Sequence, residues 1–335
     1  MRSVDRRRRR ISVIMVVAAL AGGGMAAIAP SAAYAGAWAQ VLCAQANGQP
    51  APIEGFTSST NGGLATNGCN PYAGGLIAAV NSAASLPPLA GAVYTYTAPA
   101  GSTIAGGTLA LSLYAPAGIA YVATPAANYD PADVVAACQS GFPCGGQVNG
   151  ELTEVVPITH PGGTQLFAVA QCLEPGGGNC PAGGGGAGLD AQVNLYQAII
   201  DLTANATPAA TGFGGGLLAS GPVSGTQPIT FLATDPGGPG VFKVTVAVDG
   251  QPLYAATPDT NGGHCASTGT DAAGNNEFLY AVPCKASVAV SVPVDTAHFA
   301  DGTHDLSATV VDAAQNSSLV LHQPITTANR TTVSA

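Results

Sequence analysis

Short runs of alternating apolar and polar residues dominate the chain from residue 92 onward. Gly, Pro or Asn bounds each run, which is typical of β-strands. In the first half the runs are Val93–Thr97, Thr108–Tyr114, Ile119–Ala123, Thr164–Gln171 and Gln192–Leu202. Asp130-Pro131-Ala132-Asp133 departs from this pattern, because a capping carboxylate before a proline and an acid predicts a short helix that continues to Cys138. Residues 36–70 are rich in turn clusters and predicted to be loop-like.

The second half predicts a compact set of short strands. They are Ile229–Ala233, Val241–Val248, Pro252–Ala256, Phe278–Ala281, Ser287–Val292, Asp305–Val311 and Leu319–Pro324. The dipeptide Asp249-Gly250 is a hairpin signal. About seven strands with closely spaced turns are typical of an immunoglobulin-like sandwich. Ala, Thr, Gly, Ser and Pro dominate residues 205–226, which indicates a linker or domain boundary.

Two segments of this second half carry a resemblance to a known family. VFKVTVAVDG at 241–250 and DGTHDLSATVVDAAQN at 301–316 resemble the strand and turn motifs of bacterial Ig-like domains. The second motif departs from the pattern at Gln315, where glycine is usual. The resemblance covers residues 220–326 and implies an Ig-like spacer, adhesive module or accessory module. The whole chain also resembles a family of secreted actinobacterial proteins of unassigned function.

The first half predicts a second β-sandwich. VYTYTAPAGSTI at 93–104 resembles an edge of jelly-roll or lectin-like sandwiches. We therefore expect an all-β chain with a signal peptide at 1–35, a jelly-roll/lectin-like domain at 36–205 and a linker at 206–219. An Ig-like domain at 220–326 and a tail at 327–335 follow.

The first 35 residues have the features of a secretory signal. Arg2 and Arg6–Arg10 are basic, Ile11–Leu20 is apolar, and Ala33-Tyr34-Ala35 is an A-x-A cleavage site. The mature chain should therefore begin at Gly36 and be secreted or cell-wall associated. The pattern leaves the choice between general and twin-arginine export open.

The net charge of the mature chain excludes nucleic acid as a partner. Beyond residue 35 three cations, Lys243, Lys285 and Arg330, stand against 17 acids, a net charge of −14. Nucleic-acid binding needs many Lys and Arg side chains to neutralise phosphates, so this class is excluded. No segment after the signal is apolar for the ~18 residues that a membrane span needs.

Eight cysteines lie beyond the predicted signal. An even number in an exported chain predicts disulfides, and no C-x-x-C zinc motif is present. Pairing between nearest neighbours predicts four bridges, each around a Gly- or Pro-rich loop: Cys43–Cys69, Cys138–Cys144, Cys172–Cys180 and Cys265–Cys284.

Tyrosines concentrate in the first half and predict a binding face. Tyr94 and Tyr96 lie on one face of a strand, with Tyr121 and Tyr129 nearby in the sequence. Because aromatic faces suit sugar rings, we predict a non-catalytic binding or structural protein that recognises glycan or an envelope polymer. Half-buried packing is the competing interpretation of strand tyrosines.

Two further sites follow from the acidic residues. Asp259 and Asn261, and then Asp271, Asn275 and Glu277, cluster hard oxygen atoms in loops, which indicates a calcium site. The same residue types also form turns by bonding their own backbone.

No G-x-S-x-G or H-E-x-x-H motif is present, so catalysis is not the leading hypothesis. The alternative is a secreted glycosidase-like hydrolase with carboxylates from separate loops.

Overall fold

A computed structural model describes residues 36–69, 74–81, 83–124, 133–140, 143–144, 147–148, 151–173, 178–182 and 188–329. Side chains of 143–153 lie outside this description. The described chain is all-β, as expected. Its strands are β1 Gly36–Leu42, β2 Phe56–Asn61, β3 Leu64–Gly68, β4 Gly75–Asn81, β5 Gly91–Thr97, β6 Ser102–Tyr114, β7 Ile119–Ala123, β8 Val134–Gln139, β9 Pro143–Cys144, β10 Gln147–Val148, β11 Glu151–Pro157, β12 Gln165–Gln171, β13 Leu189–Ala204, β14 Ala209–Gly214, β15 Thr226–Thr234, β16 Val241–Val248, β17 Gln251–Ala256, β18 Gly269–Thr270, β19 Asn276–Phe278, β20 Ser287–Asp295, β21 Gly302–Asp312 and β22 Ser317–Thr327. Short 3₁₀ turns occupy Gly216–Leu218, Asn261–Gly263 and Thr296–His298.

The first sandwich consists of a large and a small sheet. The large sheet runs β11-β6-β13-β1-β19-β18, and β4 and β3 extend it from the first half of β13. The small sheet runs β2-β5-β12-β7-β8. Alternate residues of β13 such as Ile200 and Leu202 are fully buried between the sheets, while Ile199 and Asp201 face outward. This alternation is the period of two expected for a sheet with one face in the core.

The second sandwich packs a three-stranded sheet on a four-stranded sheet. The orders are β14-β15-β20 and β17-β16-β21-β22, and the pairs are antiparallel. Its core consists mainly of valines, including Val244, Val246, Val290 and Val292. β-Branched side chains pack well on pleated strands, which explains why this valine-rich sequence forms sheets.

A segment of the second half crosses over to the first sandwich. Residues 257–286 leave β17, form the β18–β19 hairpin, and return to β20. β19 pairs in parallel with β1, so this crossover segment extends the large sheet of the first sandwich. Phe278 is fully buried in the first core, and Trp38 Nε1 donates to the Ala281 carbonyl at 3.1 Å. The two sandwiches are thus joined by backbone pairing and by a shared core.

The turns of the second sandwich follow the predicted chemistry with one exception. Asp249 (φ 51°) and Gly250 (φ 75°) both adopt positive φ between β16 and β17, the geometry of a type I′ hairpin. Gln315 stands where the resembling motif has glycine, and its φ is 69°. A non-glycine residue in this left-handed region carries strain of about 1–2 kcal/mol.

Several expectations differ from the structure. The predicted helix is absent at its described end, because Val134–Gln139 forms strand β8 and pairs with β7; residues 130–132 lie outside the description. Residues 36–70 are not loop-like, since they contain β1, β2 and β3. The segment 206–219 contains β14 and the buried Leu217, so it belongs to the second sandwich. Strand β22 extends to Thr327, the first residue of the predicted tail.

Three of the predicted disulfides are present: Cys43–Cys69, Cys172–Cys180 and Cys265–Cys284. The bridge predicted between Cys138 and Cys144 involves a side chain outside the described residues. Within the described part of the chain, no helix is long and apolar enough to cross a membrane.

Candidate functional site

The predicted tyrosine face is buried. Tyr94 is 4% exposed and Tyr96 is 0% exposed, because this face of β5 points into the first core. There Phe56 packs edge-on against both rings, and Tyr96 Oη donates to Gln40 Oε1 at 2.7 Å. Tyr121 is 1% exposed in a smaller cluster. The prediction of a sugar-stacking face on these three rings is therefore wrong; Tyr129 lies outside the described residues.

The first pair of predicted calcium ligands forms a turn. Asp259 Oδ2 accepts from Lys285 Nζ at 2.6 Å, and Asp259 Oδ1 accepts from the Asn261 backbone N–H at 2.7 Å. Asn261 Nδ2 donates to the Pro283 carbonyl. Each group thus has a partner within the crossover segment, close to the Cys265–Cys284 bridge. The turn interpretation accounts for these contacts.

Of the second group of predicted calcium ligands, Asp271 and Glu277 lie at a cavity of about 370 Å³. The cavity lies between the outward face of the large sheet and the β18–β19 hairpin. Asp271 and Glu277 line it together with Asp201, which was not among the predicted ligands. Small side chains such as Gly107 and Ala272 form much of the remaining wall. A second cavity of about 120 Å³ also touches Glu277.

Strand pairing explains how these acids come together. Ala39 on β1 pairs with Asp201 of β13 on one side and with Glu277 of β19 on the other. Residues paired across neighbouring strands point to the same face of a sheet. With strands ~4.8 Å apart, the Cα atoms of Asp201 and Glu277 are separated by about 10 Å, on either side of Ala39.

A β-bulge lies beside Asp201. The register of β13 with β6 shifts between Asp201 and Leu202, where Asp201 pairs with Gly106. Bulges of this kind re-aim side chains and are common near functional sites. Asp201 lies close to this glycine, since a Cβ at Gly106 would be in van der Waals contact with Asp201 Oδ2 at 3.4 Å.

Backbone and amide N–H groups hold Asp271 in place. Its Oδ1 accepts from the N–H groups of Ala273 and Asn275, both at 2.8 Å, and its Oδ2 accepts from Asn275 Nδ2 at 2.7 Å. Asn275, predicted as a calcium ligand, therefore supports Asp271 instead.

The pKa of Asp201 is strongly raised at this site. Burial raises the pKa of Asp201 to about 6, with further contributions from the charge of Asp271, a hydrogen bond to Asp271, and the charge of Glu277. Burial and the Asp271 charge also raise the pKa of Glu277. Below about pH 6 Asp201 is protonated and can donate a hydrogen bond; above about pH 6 it adds a negative charge to the cavity.

This arrangement can accept hydrogen bonds from hydroxyl groups or attract a cation. The residues lining the cavity include no Lys or Arg. In the described part of the chain, no three His, Cys, Asp or Glu side chains are grouped so that they could hold a metal ion.

Comparisons with known proteins identify no family and only weak structural similarity. Neither a protein-family model nor a curated protein matches the chain. A glycoside hydrolase domain of Endo-D from Streptococcus pneumoniae is similar over 81% of this chain, with 12% identity and a TM-score of 0.20; the chain covers 37% of that structure. The adhesin domain of Epf from Streptococcus pyogenes is similar over 77% of this chain and 78% of its own, with 8% identity and a TM-score of 0.23. These TM-scores are too low to support a functional argument.

Proposed function

We propose that this is a secreted or cell-surface binding protein that recognises glycan or an envelope polymer in the acidic cavity. The observation that carries the proposal is that three acids, Asp201, Asp271 and Glu277, line one cavity of about 370 Å³. Carboxyl groups accept and donate hydrogen bonds to hydroxyl groups, and small walls leave space for a sugar ring.

The surrounding fold supports an extracellular role. Three disulfides suit an oxidising compartment. We infer that residues 209–327 are an Ig-like sandwich, because their three- and four-stranded antiparallel sheets have the seven strands of such domains. In this proposal the second sandwich acts as a spacer, and its crossover segment contributes Asp271 and Glu277 to the binding site.

The first experiment is co-sedimentation of the mature chain with insoluble cell walls and a polysaccharide panel, with and without calcium. Asp201→Asn and Glu277→Gln should reduce retention at least tenfold if each removes a hydrogen bond worth about 1.5 kcal/mol. Glu154→Gln is the matched control, because it removes one negative charge from an exposed strand position outside the cavity. Equal retention of all four proteins, or none on any polymer, would refute the proposal.

A glycosidase-like activity is the second candidate. The observation that favours it is that Asp201 and Glu277 lie on one face of the large sheet, on either side of β1, since glycosidases place two carboxyl groups across the scissile bond. Asp201 and Asp271 alone do not fit, since a hydrogen-bonded pair is closer than the ~5–5.5 Å of retaining enzymes. Release of reducing sugar from a retained polymer, lost in Glu277→Gln, would establish hydrolysis.

A further inference from the structure

Gly36, the first residue of β1, contacts the second sandwich. Its backbone N–H donates to Asn316 Oδ1 at 2.9 Å. A side chain at this position would not fit, because a Cβ would overlap the Ala314 carbonyl oxygen and lie 2.7 Å from the Asn316 amide. The nitrogen of residue 36 is therefore held in a narrow polar recess.

Asn316 connects Gly36 to a buried carboxyl group. Its backbone N–H donates to Asp312 Oδ1 at 2.8 Å, and its Nδ2 donates to Asp312 Oδ2 at 2.7 Å. The same Nδ2 lies 3.3 Å from the Ala204 carbonyl oxygen. With its amide nitrogen committed to these acceptors, Asn316 presents its oxygen to Gly36. One amide group thus separates the Gly36 nitrogen from Asp312.

The buried acids at this recess have no cationic partner among the described residues. Asp312 and Asp235 are both 0% exposed, and Asp235 acts on Asp312 through its charge. Asp235 Oδ2 accepts from the Gly240 N–H, whereas Asp235 Oδ1 is buried without a partner in the described chain. Of the described cations, Lys285 pairs with Asp259 and Lys243 is exposed. Buried carboxylates are costly without a nearby positive charge.

We propose that the α-ammonium group released by cleavage between Ala35 and Gly36 docks in this recess, beside Asn316 Oδ1, and completes the Asp312 network. An ammonium group has a positive charge and three N–H donors, whereas the uncleaved peptide offers one neutral N–H. The folded state is therefore more stable after removal of the leader than before. Leader cleavage therefore stabilises the fold through the buried acids Asp312 and Asp235. This effect does not depend on the acidic cavity.

The pH dependence of this device follows from the two acids and the amine. Burial raises the pKa of Asp312 to about 7, with a contribution from Asp235, and burial raises the pKa of Asp235. Both acids are ionised in the unfolded chain above about pH 4, and the free α-amine is charged below about pH 8. Because Asp312 ionises near neutral pH in the folded chain, the stabilisation should grow as pH rises toward 7 and disappear as the amine deprotonates above about pH 8.

The test starts from the full chain, exported with its own leader and identified by N-terminal sequencing. The processed chain with a free Gly36 amine is then compared with the same chain acetylated at Gly36, and with one retaining Ala35. At pH 7 the free amine should raise the folding equilibrium constant about tenfold, the difference between a charged and a neutral hydrogen bond. Asp312→Asn should reduce this advantage.

A second readout needs no substitution. At pH 7 a free α-amine is acetylated faster than lysine, because its pKa is near 8 rather than near 10.4. Docking should reverse this order, so that Lys243 reacts before Gly36 in the folded chain and after it in urea. A mature terminus other than Gly36, equal stability of free and acetylated chains from pH 5 to 9, or fast acetylation of Gly36 in the folded chain would each overturn the proposal.

Discussion

Replacing Phe278 tests whether the crossover segment belongs to the core of the first sandwich. Phe278 is fully buried, and its ring meets that of Phe242 edge-on with centroids 5.7 Å apart. Burying a phenylalanine removes roughly 200 Å² from water, or about 5 kcal/mol at ~25 cal/mol per Å². We therefore expect Phe278→Ala to lower the free energy of unfolding by about 3–5 kcal/mol, as large-to-small core changes generally do.

Trp38, the only tryptophan, provides the assay. It is 1% exposed and donates to Ala281 in the same crossover segment, so its fluorescence reports on that contact. Urea unfolding should show a lower midpoint in Phe278→Ala, while Phe278→Leu should lose less than about 1.5 kcal/mol. Leu253→Ala, at a position 42% exposed on β17, is the surface control. A loss below about 1 kcal/mol in Phe278→Ala, with unchanged Trp38 emission, would refute this packing.

Three more perturbations follow from local chemistry. Because the pKa of Asp201 is raised to about 6, the free energy of unfolding falls as pH rises from about 4 to 6. Asp201→Asn should abolish this part of the loss in thermal melts. An unchanged pH profile would contradict the raised pKa of Asp201. A hydrogen bond to Asp249 is the main cause that raises the pKa of His304. Asp249→Asn should therefore lower the melting temperature more at pH 6 than at pH 9. An equal loss at both pH values would contradict this role of the hydrogen bond. Gln315→Gly should stabilise the chain by about 1 kcal/mol in urea titrations, since glycine adopts positive φ without strain, and a destabilised variant would show that the side chain matters more.

Local patterns in the sequence predicted the parts of the fold that depend on neighbours in the chain. Alternating runs identified strands such as β7 and β16, and Asp249-Gly250 identified a hairpin. Nearest-neighbour pairing predicted the three described disulfides. The helix prediction failed at Val134–Gln139, because pairing with β7 outweighs a local capping signal.

The candidate site depended on contacts that no local pattern contains. Alternation placed Tyr94 and Tyr96 on one face of β5, but it could not tell whether that face was the core. Asp201 joins Glu277 only because both pair with Ala39, through strands far apart in the sequence. One available signal was Asp201 itself, an acid that follows the apolar residues Ala198, Ile199 and Ile200 in β13. A charge in such a run should have been selected as a candidate.

The low number of cations shapes how this chain stabilises its acids, and it predicts a pH optimum on the acidic side. Burial is the largest cause that raises the pKa of Asp201, Asp235, Glu277 and Asp312, so the folded state binds protons more tightly than the unfolded state at each site. Stability therefore falls as pH rises through these values, and the raised pKa of His304 adds a loss above about pH 6.5. The two exposed acids whose pKa is lowered act only below about pH 4. We expect the melting temperature of the chain acetylated at Gly36, which lacks the ammonium charge, to decrease steadily from pH 5 to pH 8; a constant or rising value would mean that other groups compensate these acids.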